Sequence, residues 1–306
     1  MHVLLTGATG FVGSYVLRAL TERGHTVRCL MRSPDQPLAA KGDAVERAAG
    51  DVTDFTSLPD AMRGCDVVVH LVGIIEEKPR QGVTFERIHN QGTRHMVDAA
   101  REAGIERFVF MSANGARPDG VSAYQTTKWK AEEYVRDANF EHWTIFRPSI
   151  IFGDPGTRAE SFEVRLARTL VGPFPVWPVF GDGRYRIQPV HVEAVAEAFG
   201  QAVGSETANG ETYCPAGKER ITYNEALDRI ARGLGTRPAP KLHLPLPLVR
   251  PLVLAAGKLG LLPISPDQFK MLLDGNTCDP SAFYRDFEVR SLPFEAESMA
   301  YLPSRS

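Results

Sequence analysis

The sequence has no excess of charge of either sign and no run of basic residues. Its 35 lysines and arginines stand against 37 aspartates and glutamates, which gives a formal net charge of -2. Nucleic acids and anionic membranes attract proteins through clustered positive charge, and this composition lacks it. We therefore expect no nucleic-acid partner.

Cysteines are also few, and they lack the spacing of metal ligands. The four are Cys29, Cys65, Cys214 and Cys278. We therefore expect no metal site.

Only Met1 and His2 precede the first apolar segment, so we expect no signal or transit peptide and a cytoplasmic location.

Apolar segments alternate with amphipathic ones through the first half of the chain. Stretches with helical periodicity lie near 56–63, 84–103 and 125–138. The apolar segments between and around them are 3–5, 25–30, 65–73, 107–112 and 143–148. Apolar strands separated by helices are typical of a parallel sheet covered on both faces. We therefore predict an α/β fold with a doubly wound parallel sheet of the Rossmann type.

A glycine-rich turn joins the first apolar segment to the first amphipathic one. A strand, a glycine turn and a helix in this order place diphosphate oxygens at a helix N-terminus, where N–H groups and the helix dipole stabilise them. The glycine spacing is G-x-x-G-x-x-G rather than G-x-G-x-x-G. We predict that the dinucleotide contacts in this turn come from Gly7, Thr9, Gly10, Phe11, Val12 and Gly13.

The pattern changes after about residue 153, where prolines become frequent and the regular alternation ends. We predict a dinucleotide-binding domain over 1–153. Residues 154–306 are predicted to form a smaller, irregular lobe that binds substrate, with a strand near 211–215 that returns to the sheet.

The second strand ends in Arg32 and Ser33, where an acidic residue would bind the adenosine ribose of NAD. A guanidinium and a hydroxyl can instead bind a 2′-phosphate. We expect NADP(H) to be preferred. NAD(H) is the alternative, with Arg32 a solvated surface residue.

Asp51 follows a third strand and can either accept a hydrogen bond from the adenine amino group or cap the next helix.

Three further residues have the chemistry of proton transfer. Ser112 ends an apolar strand, and Tyr124 and Lys128 follow on one face of a helix because they are four residues apart. An ammonium near a phenol favours the phenolate, so we expect Lys128 to lower the pKa of Tyr124. Tyr124 can then exchange a proton with a substrate oxygen that Ser112 also binds, while Lys128 holds the nicotinamide ribose.

These features together resemble the extended short-chain dehydrogenases/reductases, the group of epimerases and dehydratases. The resemblance rests on 6–13, Asp51, 70–73, Asn90, Arg94, Ser112, Tyr124, Lys128 and 147–149. It implies that Ser112, Tyr124 and Lys128 are catalytic. It also implies that Asn90 supports the lysine through water and that Pro148 lies beside the nicotinamide amide. Further cofactor contacts implied by the resemblance are Val52, Leu71, Val72, Gly73 and Ile150.

Segments 144–153 and 188–196 are similar to an atypical branch of this family, which includes the nucleotide-binding accessory subunit of respiratory complex I. The branch implies NADP(H) binding, with or without turnover. One interpretation is an oxidoreductase or epimerase with a small, apolar substrate. The other is a non-catalytic NADP(H)-binding accessory or sensor subunit of a respiratory or membrane-peripheral complex. The family also implies a homodimer.

Residues 242–264 form an apolar stretch interrupted by His243, Arg250 and Lys258. Its prolines and basic residues argue against a membrane-spanning helix. We expect either a helix packed on the core of the lobe, or an apolar surface for a ligand or a membrane-associated partner.

Overall fold

A computed structural model of the chain describes residues 1–157, 160–258 and 264–302. The chain divides into two compact units. The first unit comprises Met1–Pro148, Val192–Pro215 and Pro280–Arg290. The second comprises Ser149–His191, Ala216–Asp279 and Ser291–Ser306.

The strands and helices of the described chain have the following bounds. The strands are β1 His2–Thr6, β2 Thr26–Met31, β3 Val45–Ala49, β4 Val67–His70, β5 Arg107–Met111, β6 His142–Phe146, β7 Ile151–Phe152, β8 Trp177–Phe180, β9 Arg186–Ile187, β10 Val190–His191, β11 Glu211–Tyr213, β12 Ile221–Thr222 and β13 Lys241–Leu244. The α-helices are α1 Phe11–Glu22, α2 Pro59–Met62, α3 Gly92–Glu102, α4 Ala123–Asp137, α5 Phe162–Leu166, α6 Val192–Ala202, α7 Tyr223–Gly233, α8 Leu246–Lys258, α9 Pro266–Asp274 and α10 Ser281–Asp286. Two π-helical segments, Glu86–Gln91 and Ala167–Val171, and short 3-10 turns complete the chain.

Seven parallel strands form the sheet of the first unit, in the order β11-β6-β5-β4-β1-β2-β3. β1 lies between β2 and β4, so the strand order reverses at β1. This confirms the predicted doubly wound parallel sheet, in which ligands bind at the carboxyl ends of the strands near the reversal.

Helices cover both faces of this sheet because its strands are apolar on both sides. On one face, Leu4, Val68 and Phe108 belong to a buried cluster that also includes apolar residues of α2, α3 and α4. On the other face, Phe146 packs against Phe199 of α6 with ring centroids 4.5 Å apart. Burial of large apolar side chains on both faces fixes the strand ends that carry the candidate site.

The second unit is built from short strand pairs and helices. β8 pairs with β13 and β7 with β10 in parallel, whereas β9 and β12 are antiparallel. A reciprocal capping box between Thr222 and Glu225 begins α7. The unit has its own apolar core, with Trp177, Ile187 and Ile221 among its buried members.

The apolar stretch 242–264 contains the end of β13 and the whole of α8. Val249 and Val253 of α8 are buried against Phe269, as expected for a helix packed on a core. Leu242 and Leu248 are exposed. Residues 259–263 lie outside the described residues. No helix in the described ranges is long and apolar enough to cross a membrane.

A buried carboxylate joins α4 to the end of β6. Glu132 is fully buried, and its two oxygens accept hydrogen bonds from Arg147 Nε and Nη2 at 2.8 and 2.5 Å. Arg136 Nη2 also donates to Glu132 at 2.8 Å. Two guanidinium groups thus satisfy one buried charge, which fixes α4 relative to the sheet.

Replacing Glu132 with Gln should lower the free energy of unfolding by about 3 kcal/mol, because the buried ion pair with Arg147 loses its carboxylate. Urea unfolding followed by tryptophan fluorescence measures this. Trp143, whose ring centroid lies 5.8 Å from Arg136 Cζ, lies close enough to report it. The control is Asp60→Asn in the exposed Arg63–Asp60 pair, which should cost less than about 1 kcal/mol. Equal losses in the two variants would contradict the structural role of Glu132.

Candidate functional site

The glycine-rich turn between β1 and α1 has a backbone that requires glycine. Gly7 has a φ of +78°, in the left-handed region that favours glycine. A Cβ atom at Gly13 would lie 2.0 Å from the Gly7 carbonyl oxygen, so no side chain fits there. The Gly10 N–H donates to the same oxygen at 3.0 Å and closes the turn. Bare backbone therefore lies between the strand end and the helix.

Helix α1 begins directly at this turn. Gly10 is its N-cap residue, and no side chain in the described ranges caps the helix. Thr9, Phe11 and Val12 are partly exposed around the same end. An uncapped helix N-terminus leaves N–H groups and the positive end of the helix dipole for an anion such as a diphosphate. The structure brings the six predicted residues of this turn together.

Arg32 and Ser33 follow β2 and are exposed. Within the described ranges, the Arg32 side chain makes no hydrogen bond or ion pair. Arg47 donates to the Pro34 carbonyl and, at 2.8 Å, to the Gln36 carbonyl, which holds the loop that follows. The Arg32 guanidinium thus lies exposed at the end of β2, and its predicted contact with a 2′-phosphate stays a prediction.

Asp51 follows β3 and shapes a turn of its own. Its Oδ1 accepts from the Thr53 N–H at 2.8 Å and from the Thr53 hydroxyl at 2.9 Å. The cap of the next 3-10 turn is Asp54, which accepts from the Thr56 N–H, so Asp51 is not the helix cap. Val52 is buried beside it.

Leu71, Val72 and Gly73 continue from β4 and lie against the glycine turn. A Cβ atom at Gly7 would lie 3.4 Å from the Leu71 carbonyl carbon. The Leu71 N–H donates to Thr6 Oγ1 at 3.2 Å, which ties the ends of β4 and β1 together. Further along, a Cβ atom at Gly73 would lie 3.2 Å from Lys128 Nζ. The bare Gly73 backbone therefore covers the ammonium of Lys128.

The His70 side chain lies at the end of β4, between two threonine hydroxyls. Its Nδ1 lies 2.7 Å from the Thr6 hydroxyl and its Nε2 lies 3.2 Å from the Thr93 hydroxyl. Burial, with a smaller contribution from Lys128, lowers the pKa of His70 to about 3. A neutral ring has one donor and one acceptor, which the two threonines match. His70 is thus a structural, neutral residue of the strand end.

Ser112 and Pro148 lie where β5 and β6 end side by side. The Ser112 N–H donates to the Phe146 carbonyl at 2.7 Å, and the Asn114 N–H donates to the Pro148 carbonyl at 2.9 Å. Ser112 is 3% exposed, and its Oγ has no hydrogen-bond partner among the described residues. Buried hydroxyls nearly always have a partner, so this oxygen marks a position where a ligand atom can bind.

Tyr124 and Lys128 lie one turn apart on α4, which Ser122 caps by accepting from the Gln125 N–H at 3.2 Å. Lys128 is 2% exposed. Its Nζ donates to the Met111 carbonyl at 2.9 Å, directly before Ser112. The topology therefore brings all three predicted catalytic residues to the ends of β4, β5 and β6.

The protonation of this pair differs from the expectation. Burial of the phenol raises the pKa of Tyr124 to about 12, although part of the residue is exposed. Burial lowers the pKa of Lys128 to about 8, against the opposing effect of Glu132. The expectation that Lys128 lowers the pKa of Tyr124 is wrong for the protein alone, because loss of hydration on burial raises it.

Asn90 bonds to Glu86, and the residue before it, His89, contacts Tyr124. The Asn90 amide donates to Glu86 Oε1 at 2.6 Å. His89 is fully buried, and its ring packs edge to face against Tyr124 with centroids 5.1 Å apart. Support of Lys128 by Asn90 stays a prediction, and His89 is the residue that sequence reasoning missed. Its only sequence signal is its place next to Asn90.

Ile150 belongs to the second unit. Its N–H donates to Asn276 Oδ1 at 3.0 Å, and its carbonyl accepts from the Val190 N–H at 2.9 Å. Its predicted contact with the cofactor stays a prediction.

The residues of the first unit fit a nicotinamide dinucleotide. The glycine turn offers bare backbone and an uncapped helix N-terminus for the diphosphate. The bare backbone of Gly73 lies close to Lys128 Nζ, and among the described residues Ser112 Oγ has no hydrogen-bond partner. The arrangement can bind an anionic dinucleotide and present hydroxyl and ammonium donors to an oxygen near the end of β5.

Comparison with known proteins agrees with this geometry. A family profile described as NAD(P)H-binding matches residues 7–167. A ceramide reductase of Caulobacter vibrioides is 30% identical over 257 residues, which are 84% of this chain and 76% of the relative. The 40 kDa subunit of mitochondrial NADH-ubiquinone oxidoreductase from Neurospora crassa is 26% identical over 304 residues, or 97% of this chain and 78% of that protein.

A solved structure with the same architecture is a variant of UDP-glucuronic acid 4-epimerase from Bacillus cereus, in complex with a UDP-sugar acid and NAD. It matches with a TM-score of 0.76 over 99% of this chain and 98% of the epimerase, at 18% identity, and so shows the shared fold.

The NAD(P)H-binding family profile spans more than half of the sequence, and the ceramide reductase match covers most of both chains. The chain therefore belongs to the NAD(P)H-binding family, within the short-chain dehydrogenase/reductase group of oxidoreductases and epimerases.

Proposed function

We propose that the protein is an NADP(H)-dependent oxidoreductase that reduces the carbonyl group of an apolar substrate at a site made by Ser112, Tyr124 and Lys128. The observation that carries the proposal is the buried Ser112 Oγ, which has no hydrogen-bond partner among the described residues and lies at the strand end next to buried Lys128. A substrate oxygen bound there would satisfy this hydroxyl.

In this proposal Tyr124 is the general acid. Its raised pKa keeps the phenol protonated at neutral pH, so it can give a proton to an oxygen that is gaining negative charge. Ser112 donates a hydrogen bond to the same oxygen. Bound NADPH would supply the hydride that the carbonyl carbon receives.

Lys128 has a separate part in the proposal. Its ammonium uses one donor on the Met111 carbonyl, and the other N–H groups can bind the ribose hydroxyls of the nucleotide. Burial, with a smaller contribution from this positive charge, disfavours protonation of His70 and His89, so both rings stay neutral beside it. Lys128 would thus orient the nucleotide without competing for the proton of Tyr124.

An apolar substrate is supported by the surroundings of Tyr124 and by one relative. The Tyr124 ring lies 5.6 Å from the buried Phe85 ring and 5.1 Å from the His89 ring. Val121, just before α4, and Ile75, just after the Gly73 segment, are exposed apolar residues of the first unit. The ceramide reductase relative acts, by its name, on a lipid. We infer a lipid-like substrate with a reducible carbonyl.

A second candidate function is a non-catalytic NADP(H)-binding subunit of a respiratory or membrane-peripheral complex. The alignment with the NADH-ubiquinone oxidoreductase subunit over 97% of this chain favours it. The two functions differ in nucleotide exchange. Displacement of bound nucleotide by an excess of NADPH within seconds supports the enzyme, whereas retention for hours supports the subunit.

Tyr124→Phe should reduce turnover by about 100-fold or more, because the reacting oxygen loses its proton donor. Nucleotide affinity should change by less than about twofold, because a single buried hydroxyl is lost and no charge. NADPH consumption with long-chain ketones measures turnover, and fluorescence titration measures affinity. The matched control is Tyr134→Phe on the same helix, whose hydroxyl donates to Asp98 at 2.7 Å. Wild-type turnover in Tyr124→Phe would refute the assignment.

Arg32→Ala should weaken NADPH binding by about 10- to 100-fold, since a charge-assisted contact with the 2′-phosphate is lost. NADH binding should stay nearly unchanged. The dissociation constants of both nucleotides, measured by fluorescence, give the selectivity. Arg63→Ala, at an exposed arginine of the same unit, should change neither value. Equal weakening of NADPH and NADH in Arg32→Ala would exclude Arg32 as the selectivity residue.

NADPH affinity should be constant below about pH 7 and fall by up to about tenfold per pH unit above the Lys128 pKa of about 8. The sign follows from charge, because the free protein loses the ammonium that binds the ribose as the pH rises. Lys128→Met should bind more weakly and lack this alkaline fall. Lys130→Met, an exposed lysine of α4 paired with Glu86 at 3.6 Å, should keep it. An alkaline fall that persists in Lys128→Met would show that another group causes it.

A further inference from the structure

His89 is a fully buried titratable residue that the proposed reaction does not use. It lies in the π-helical segment Glu86–Gln91 that precedes α3. Its Nε2 lies 3.0 Å from the Ile74 N–H nitrogen, and its Nδ1 lies 3.2 Å from Thr127 Oγ1 on α4. One imidazole thus bridges the segment after β4 and the helix that carries Tyr124 and Lys128.

The hydrogen bonds of its neighbours determine the tautomer of His89. The Thr127 hydroxyl has one proton, which it donates to the Ala123 carbonyl at 2.7 Å. Thr127 Oγ1 must then accept from His89, so Nδ1 carries the ring proton. Nε2 lies 3.0 Å from both the Ile74 N–H nitrogen and the Ile74 carbonyl oxygen, and without a proton it accepts from the N–H. Burial, together with repulsion by Lys128, also lowers the pKa of His89 well below its usual range, which keeps the ring neutral.

The His89 bridge lies directly beside the Gly73 backbone that covers Lys128 Nζ. A Cβ atom at Gly73 would lie 3.2 Å from Lys128 Nζ and 3.6 Å from His89 Nε2. The Gly73 backbone, the Lys128 ammonium and the His89 ring therefore lie close together. On its other side the His89 ring stacks on Phe85 at 5.2 Å and meets the Tyr124 ring edge to face at 5.1 Å. His89 therefore contacts both the cover of Lys128 and the phenol ring.

We propose that His89 is a positioning residue: its neutral imidazole links Ile74 to Thr127, holds the Gly73–Ile74 backbone over the Lys128 ammonium and fixes the Tyr124 ring. The inference deepens the proposed function and rests on it for the roles of Lys128 and Tyr124. The link itself is a property of the protein without substrate. It keeps water from Lys128 while leaving the ammonium beside the reacting groups.

Several groups face the Lys128 ammonium and set its charge. Glu132 on α4 favours the charged form. His70 on β4 and His89 on the π-helical segment interact with it but are neutral. Tyr124 is protonated and also neutral at pH 7. None of these four neighbours titrates between pH 7 and pH 10. A disrupted bridge would therefore change the Lys128 pKa through the hydration of the ammonium.

The test measures the titration of Lys128 by NMR, with lysine labelled with ¹³C at Cε, in the full chain without substrate. His89→Phe keeps the ring and its contact with Tyr124 but loses both hydrogen bonds. Water should then reach the ammonium, and the Lys128 pKa should rise by about one unit or more toward the solvent value. His89→Gln, which keeps an acceptor and a donor, should restore part of the wild-type value.

His95→Phe is the matched control, since its ring also packs edge to face, against Phe55 at 5.9 Å, and its Nδ1 lies 3.0 Å from the Val52 carbonyl oxygen. It should leave the Lys128 titration unchanged. Thr127→Val removes the bridge from its other end and should reproduce the shift even where His89→Phe does not fold. An unshifted Lys128 in Thr127→Val, or an equal shift in His95→Phe, would overturn the proposal. Because this experiment needs neither nucleotide nor substrate, a failure of the proposed function leaves its outcome readable.

Discussion

A buried ammonium is the constraint on which the rest of the site depends. Lys128 is 2% exposed, and an unpaired charge at such a position would be strongly unfavourable. The Met111 carbonyl accepts from it, the Phe110 ring centroid lies 5.1 Å away, and Glu132 follows one helical turn later. Glu132 in turn needs Arg147 and Arg136. The cation thus determines which residues the ends of β4, β5 and β6 can carry.

The same cation explains the charge states around it. Burial, and to a smaller extent the positive charge of Lys128, disfavours protonation of His70 and His89, so both stay neutral and act as hydrogen-bond bridges rather than as acids. Tyr124 keeps its proton because burial disfavours a phenolate. Within the proposed function, a protonated Tyr124 favours reduction of a carbonyl over oxidation of an alcohol.

The sequence was sufficient for features that depend on local pattern. The doubly wound sheet followed from the alternation of apolar strands and helices, and the glycine turn from Gly7, Gly10 and Gly13. The place of His89 could not be predicted in this way. The π-helical segment Glu86–Gln91 inserts a residue into the helical phase, so a period of 3.6 does not identify the residue that faces inward. The direction of the Tyr124 pKa was also missed, because burial of the phenol depends on Phe85 and His89.

The unsatisfied Ser112 hydroxyl bears on whether the site turns a substrate over or only holds a nucleotide. A buried hydroxyl without a partner costs about 1 to 3 kcal/mol, and alanine would fit the same space without that cost. The diphosphate site at β1 lies two strands from the end of β5, which is about 10 Å across the sheet. Holding the diphosphate therefore does not require this hydroxyl. This cost is offset when a partner binds at the end of β5, and in the proposed function the carbonyl oxygen of a substrate has the required chemistry.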